Sequence, residues 1–142
     1  MFKYIAALSL TLGLVAGAVA DEKPYKEGPV TSVAWIRVKD GKLYDYITYL
    51  KGNYTQEMEA FKKAGLVTSY KIYQVSPRRP EDPNLILTVT YPNYAALDHN
   101  ADFDAITTKL EGSLKQAAEG YGSRESIRVV LGSELIQELI PK

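Results

Sequence analysis

The segment VTSYKIYQVSPRRPEDPNLILTVTY, residues 67–91, decides the fold of this chain. Both of its ends, residues 67–75 and 85–91, are rich in the β-branched and aromatic side chains that favour strands. The linking residues carry three prolines and four charged side chains, a composition typical of a solvated loop. The segment therefore predicts two strands joined by a long hairpin loop in the middle of the chain.

A strand and a helix are predicted before this hairpin. Residues 31–38 alternate in the two-residue period of a strand. Ala34, Ile36 and Val38 are on one face, and Val33, Trp35 and Arg37 are on the other. Over residues 43–61 the apolar period becomes three to four residues, which predicts a helix. The apolar stripe of this helix comprises Leu43, Tyr46, Ile47, Leu50, Tyr54, Met58 and Phe61.

A second helical region and a final strand are predicted after the hairpin. Residues 92–93, Pro-Asn, begin a short helix over 94–98, and a longer helix follows from about Asp102. Residues 124–131 allow either further helical turns or a strand, and residues 133–140 are predicted to form the last strand. The predicted order is therefore strand, helix, strand, strand, helix, strand.

The first twenty residues are predicted to be a secretory signal peptide. A short positive start is followed by an apolar run and by Ala18-Val19-Ala20, an A-x-A cleavage signature. The apolar run is shorter than the roughly 20 residues of a membrane anchor. We therefore expect a mature chain that begins at Asp21, is periplasmic or secreted, and has no membrane contact after cleavage. Residues 21–30 are predicted to be a flexible lead-in, and residues 31–142 a single domain.

Composition excludes several classes of function. The 142 residues are 46% hydrophobic and 24% charged, an ordinary globular balance. Seventeen basic and seventeen acidic side chains cancel, so nucleic acid is not an expected partner. Cysteine is absent, and no nucleophile elbow or glycine-rich phosphate loop occurs. A metal site is not predicted, because zinc sites need several His or Cys ligands and the chain has one histidine.

The element order, the long middle hairpin, the broken second helix and the closing segment RESIRVVLGSELIQEL resemble the dimeric α/β-barrel superfamily. This superfamily includes antibiotic-biosynthesis-monooxygenase-like and stress-responsive barrel domains, and the resemblance covers about residues 31–140. It implies an α+β, ferredoxin-like βαββαβ subunit whose antiparallel sheet packs against that of a second copy. It also implies a cleft between sheet and helices for a small, often aromatic molecule or a haem. No cofactor is predicted, since haem, which the resemblance allows, has no supporting motif.

Trp35, Arg37 and Tyr73 are the candidate ligand-binding residues. Trp35 and Arg37 share a strand face, and Tyr73 on the next strand is expected beside them. An aromatic wall with one cation suits a planar or anionic small organic ligand. The competing interpretation places Trp35 in a dimer interface, with Arg37 paired to a carboxylate across it.

His99 is the candidate catalytic residue. It lies at the predicted break between helices, where an imidazole could act in proton transfer or as an axial haem ligand. The alternative is a surface or capping histidine.

On the first helix, Tyr46 is expected in the core and Tyr49 beside it, whereas Glu57 and Glu59 are expected to be solvated.

The sequence leads to three functional hypotheses. The first is an exported homodimer that binds a small organic ligand, or serves as an accessory protein, with Trp35, Arg37, Tyr73 and His99 as the candidates for its cleft. The second is a cofactor-independent oxygenase or haem-handling enzyme that uses His99. The third is a structural dimerisation module. Whether the protein is an enzyme is not decided by the sequence.

Overall fold

The computed structural model describes residues 22–142. The predicted signal peptide, residues 1–20, lies outside these residues. Strand β1 spans Tyr25–Val38, β2 Ser69–Gln74, β3 Leu85–Tyr91 and β4 Arg128–Pro141. Helix α1 spans Leu43–Tyr49, α2 Thr55–Lys63, α3 Asn100–Glu111 and α4 Leu114–Ser123. A π-helical turn at Leu50–Tyr54 joins α1 to α2, and 3-10 segments at Tyr94–Asp98 and Arg124–Ser126 precede α3 and β4.

The four strands form one antiparallel sheet in the order β2-β3-β1-β4. This order, combined with helices between β1 and β2 and between β3 and β4, is the ferredoxin-like α+β fold that the resemblance implies. The middle hairpin is confirmed, and β3 has its predicted bounds, because its β-branched run pairs with a strand on each side.

One face of the sheet packs against the helices and forms the core. Ile36 and Val38 of β1 and Leu85 of β3 are at most 3% exposed and lie against Tyr46 and Leu50. A second cluster joins α2 and α3 to the other end of the sheet, and it comprises Met58, Phe61, Leu66 and Val67, with Phe103 and Ile106 packed against it. The alternation of β1 is confirmed, but the face that meets the helices is that of Ala34, Ile36 and Val38, and not that of the cleft candidates Trp35 and Arg37.

The start of the predicted domain differs from the sequence-based expectation, and near its end the structure contains both of the elements that the sequence allowed. The flexible lead-in is wrong from Tyr25 onward, because β1 begins there and pairs Tyr25 with Pro141 and Glu27 with Leu139. The region after residue 123 is a short 3-10 segment followed by strand from Arg128, which pairs with Val38. The first residues of β1 are ordered by the last residues of β4, a pairing between the two ends of the chain that local periodicity does not reveal.

Both helical regions are interrupted. The first changes to π geometry at Leu50–Tyr54, where the Thr55 hydroxyl donates a hydrogen bond of 2.7 Å to the Leu50 carbonyl and closes the wide turn. The second breaks at Gly112, whose φ of 89° is available to glycine and strained for other residues. Ser113 then caps α4 by accepting a hydrogen bond from the Gln116 amide at 3.1 Å.

Candidate ligand-binding cleft

A cleft of about 320 Å³ lies between the helix-facing side of the sheet and the helices. Its apolar floor consists of Ala34, Ile36, Leu87 and Val130. Its walls carry three tyrosines, two arginines and one acid, which are Tyr46, Tyr49, Tyr121, Arg124, Arg128 and Glu57. An apolar floor with a few converging polar groups is the usual composition of a small-molecule site.

Arg128 supplies a positive charge that is almost completely buried. Its side chain is 2% exposed, and its Nη1 donates a hydrogen bond of 2.9 Å to Glu125, whose own side chain is 53% exposed. The Nη2 atom reaches the Tyr121 carbonyl only at 3.5 Å, and the buried Nε has no partner within residues 22–142. A buried guanidinium is costly unless its donors are satisfied, so this one is incompletely compensated by the protein.

Arg124 lies on the aromatic wall of the same cleft. Its guanidinium carbon is 4.2 Å from the centre of the Tyr49 ring and 5.7 Å from that of Tyr121. Within the described part of the chain it forms no ion pair. Arg128 is 4.6 Å above the Tyr121 ring, so both cations face the tyrosines by cation–π contact.

The tyrosines are held in place by stacking and burial. The rings of Tyr46 and Tyr49 stack with their centres 5.9 Å apart. Burial raises the pKa of Tyr46, and the neighbouring Arg128 partly opposes that rise. Burial likewise raises the pKa of Tyr49, with Arg124 opposing the rise and Glu57 adding to it. Both hydroxyls are therefore neutral donors at physiological pH.

No protein-family model and no curated protein matches this chain. Solved structures do match it. HapK from Hahella chejuensis superimposes with a TM-score of 0.52 at 12% identity, over 77% of this chain and 91% of that one. SO0527 from Shewanella oneidensis gives 0.53 at 16% identity, over 82% and 98%. A dimeric ferredoxin-like protein from an uncultured marine organism gives 0.51 at 9% identity, over 82% and 90%. The fold that this chain shares with these structures is the ferredoxin-like fold.

The sheet separates Trp35, Arg37 and Tyr73 from the cleft. Tyr73 pairs with Ile86, which pairs with Trp35. The side chains of Tyr73, Ile86 and Trp35 therefore form one row on the sheet face that is opposite to the helices. Arg37 is two residues further along the same face and also lines an open cavity with the 75–84 loop. The structure thus brings these three candidates together, but on the face that carries none of the helices described above. A ligand-binding role for them stays a prediction.

His99 lies in a different part of the structure. It lines a cavity with Leu66, Pro92 and Asn93, and its Nδ1 is 3.3 Å from the Asp102 carboxylate. Its side chain is 56% exposed. The structure therefore supplies the carboxylate partner that the sequence did not reveal, but it places the pair at the surface and outside the cleft.

The charged residues of the cleft, Glu57, Arg124 and Arg128, are not among the site residues that the sequence predicts. Arg128 stands within the apolar run IRVV, and a charge inside such a run is the signal that could have revealed it. Glu57 was expected to be solvated, yet it lines the cleft, whereas Glu59 is exposed and accepts a hydrogen bond of 2.7 Å from the Tyr70 hydroxyl. The two acids differ because Glu57 is on the side of α2 that lines the cleft, whereas Glu59 is outside the cleft, beside the edge strand β2.

The residues of the cleft do not fit a histidine-ligated haem. No histidine lines the cleft, and burial raises the pKa of Tyr46 and Tyr49, which opposes the phenolate that a tyrosine ligand would supply. Within residues 22–142, no group of three or more His, Cys, Asp or Glu side chains is placed to hold a metal ion. No helix in this part of the chain is long and apolar enough to cross a membrane.

Proposed function

We propose that this protein binds a small aromatic anion in the cleft between its sheet and its helices. The observation that carries the proposal is the Arg128 guanidinium, which is 2% exposed and incompletely paired. A ligand carboxylate or phenolate would supply an acceptor for the unpartnered Nε donor of Arg128, with Arg124 as the second cation. The stacked rings of Tyr46 and Tyr49 favour a planar ligand next to these charges.

Binding is favoured over catalysis by what the cleft contains. The tyrosines are kept neutral by burial, and His99, which the enzymatic hypotheses need, lines a separate cavity. The oppositely charged Arg128 and Glu125 side chains are joined directly, which fixes the arginine in position. A fixed cation with aromatic walls is suited to orienting a ligand rather than to proton transfer.

Replacing Arg124 by glutamine tests this proposal. We expect wild-type protein to bind benzoate, the simplest planar aromatic anion, and to bind neutral benzamide more weakly. Because a hydrogen bond to a charged group contributes about 1.5–3 kcal/mol, R124Q should weaken benzoate binding on the order of tenfold or more. Isothermal titration calorimetry at neutral pH measures both affinities.

The control for this variant is Arg78→Gln, which removes an exposed arginine from the hairpin loop. R78Q should bind benzoate as the wild type does. The proposal fails if wild-type protein does not bind benzoate, or if R124Q and R78Q bind it equally well. Arg124 is only partly buried, so its replacement leaves the core intact.

We also propose that the protein is a homodimer, formed through the sheet face that carries Trp35 and Tyr73. Tyr73 is 46% exposed and Ile136, on the same face, is 51% exposed. Apolar side chains exposed on a sheet face are typical of an interface. The marine relative described as dimeric supports this arrangement. It also accommodates the competing interpretation of Trp35 as an interface residue.

Substituting Ile86 by glutamate tests the homodimer. Ile86 lies between Trp35 and Tyr73. In the proposed dimer a carboxylate at this position would be buried between the two subunits, so the substitution should shift the protein to monomer. Native mass spectrometry reports the subunit count, and circular dichroism checks that the variant is folded. Tyr73→Glu provides a second, more exposed substitution on this face.

Tyr94→Glu is the control, because Tyr94 is 47% exposed and lies outside the sheet. It should leave the subunit count unchanged. If I86E and Y73E both keep the wild-type subunit count, this face is not the interface.

The proposed location of the protein is outside the cytoplasm, and the signal-peptide pattern of residues 1–20 supports this proposal.

A further inference from the structure

Glu57 is the acidic side chain of the cleft, and its orientation is fixed by the protein. The Thr107 hydroxyl on α3 donates a hydrogen bond of 2.9 Å to its Oε1. Within residues 22–142, no protein group donates to Oε2 and no cation pairs with the carboxylate. The Glu57 Oε1 atom is therefore fixed by Thr107, a residue outside the cavity lining, while the Glu57 side chain itself lines the cavity.

Helix stability does not account for an acid at this position. Glu57 is in the first turn of α2, where an acid normally interacts with unpaired amides at a helix start. Here Tyr54, the residue before the first residue of α2, is itself helical, with φ −62° and ψ −49°. The reason is that α2 continues directly from the π turn. The amides of that turn already have partners, so the carboxylate gains little from the helix.

The cleft therefore has charges of both signs around one aromatic wall. Arg124 and Glu57 both influence the hydroxyl of Tyr49, with opposite effects on its pKa. A ligand anion that is bound by the two arginines would be repelled by Glu57 unless the opposite end of the ligand carried a hydrogen-bond donor for the Glu57 carboxylate. An ionised carboxylate can only accept hydrogen bonds, so the complementary group is a hydroxyl or another donor.

We infer that Glu57 is a specificity-determining residue and that the cleft selects a hydroxylated aromatic acid, whose acid group faces Arg124 and Arg128 and whose hydroxyl donates to Glu57. This inference rests on the proposed function, since it needs the arginines to hold the anion. Thr107 acts as a positioning residue, because it directs the Glu57 carboxylate without lining the cleft.

The test compares benzoate with meta- and para-hydroxybenzoate and with para-methoxybenzoate, by calorimetry on the full chain. Wild-type protein should bind one hydroxybenzoate isomer about tenfold more tightly than benzoate, because the hydroxyl gains a charge-assisted hydrogen bond. The methoxy compound cannot donate and should show no such gain. In E57Q the preference for the hydroxyl should fall to about threefold or less, while benzoate should bind more tightly because a repelling charge is gone.

Glu59→Gln is the matched control, since Glu59 is on the same helix and contacts Tyr70 instead of the cleft. E59Q should keep the wild-type preference. If benzoate does not bind to wild-type protein, the proposed function fails. If benzoate binds but neither hydroxybenzoate isomer binds more tightly, or if E57Q keeps the full preference, the proposed function stands and the role of Glu57 is overturned.

Discussion

Replacing Leu85 by alanine should lower the free energy of unfolding by about 2–5 kcal/mol, the usual range for a buried leucine. Leu85 is 1% exposed and lies where β3, β1 and the first helix meet, next to Ile36 and Leu50. The cavity left there cannot close, because two paired strands and a helix bound it. Domains of this size have about 5–15 kcal/mol of stability in total, so the loss is a large fraction.

Urea unfolding followed by circular dichroism measures this change. The comparison is Leu114→Ala, because Leu114 is 47% exposed at the start of α4 and should cost less than about 1 kcal/mol. A loss of similar size in both variants would contradict the packing of the helices on this face of the sheet. A loss in L85A alone would support it.

Raising the pH above 10 should destabilise the folded protein. Burial raises the pKa of Tyr46, Tyr49, Tyr54 and Tyr91 above the ordinary tyrosine value of about 10. In this pH range the unfolded chain has already lost the phenolic protons that the folded chain keeps. The folded state therefore binds more protons, and stability falls as pH rises from about 10 through the folded-state pKa values.

The free energy of unfolding, measured between neutral pH and pH about 12, tests this linkage. Tyr54→Phe removes one of the shifted groups, so its alkaline loss should be smaller than that of the wild type. Its buried hydroxyl also has no partner within residues 22–142, so Y54F should not destabilise the protein at neutral pH. Tyr44→Phe, at an 83% exposed position, should follow the wild-type curve. A flat curve for wild-type protein would contradict the burial of these hydroxyls.

The fold was predictable because its strongest signals are local. The β-branched run of β3 and the alternation around Ile36 depend on neighbouring residues alone, and both predictions are confirmed. Strand pairing at the two ends was not predictable in this way. The N-terminal part of β1 is ordered by β4, a hundred residues later in the chain, and neither segment shows its partner in its own sequence.

The cleft was less predictable than the fold. The alternation of β1 correctly separates Ala34 from Trp35, but it does not say which face a ligand would use. The charged groups of the cleft come from α2, from the 3-10 segment before β4 and from the start of β4. Only the three-dimensional arrangement brings Glu57 and Arg128 to the same cleft. Side chains that look solvated or merely apolar in isolation thus form one site.

The π turn at Leu50–Tyr54 allows the length of this chain to change by one residue during evolution without moving the cleft. A π turn holds one residue more than a regular turn, so it is equivalent to a single-residue insertion in a helix. Because the wide turn absorbs the extra residue, deleting one residue there would restore regular geometry and leave the later residues of the helix on their present sides. Glu57 would then stay on the side of the helix that carries Tyr49. Homologues that share this cleft should therefore tolerate a spacing between these two residues that is one residue shorter.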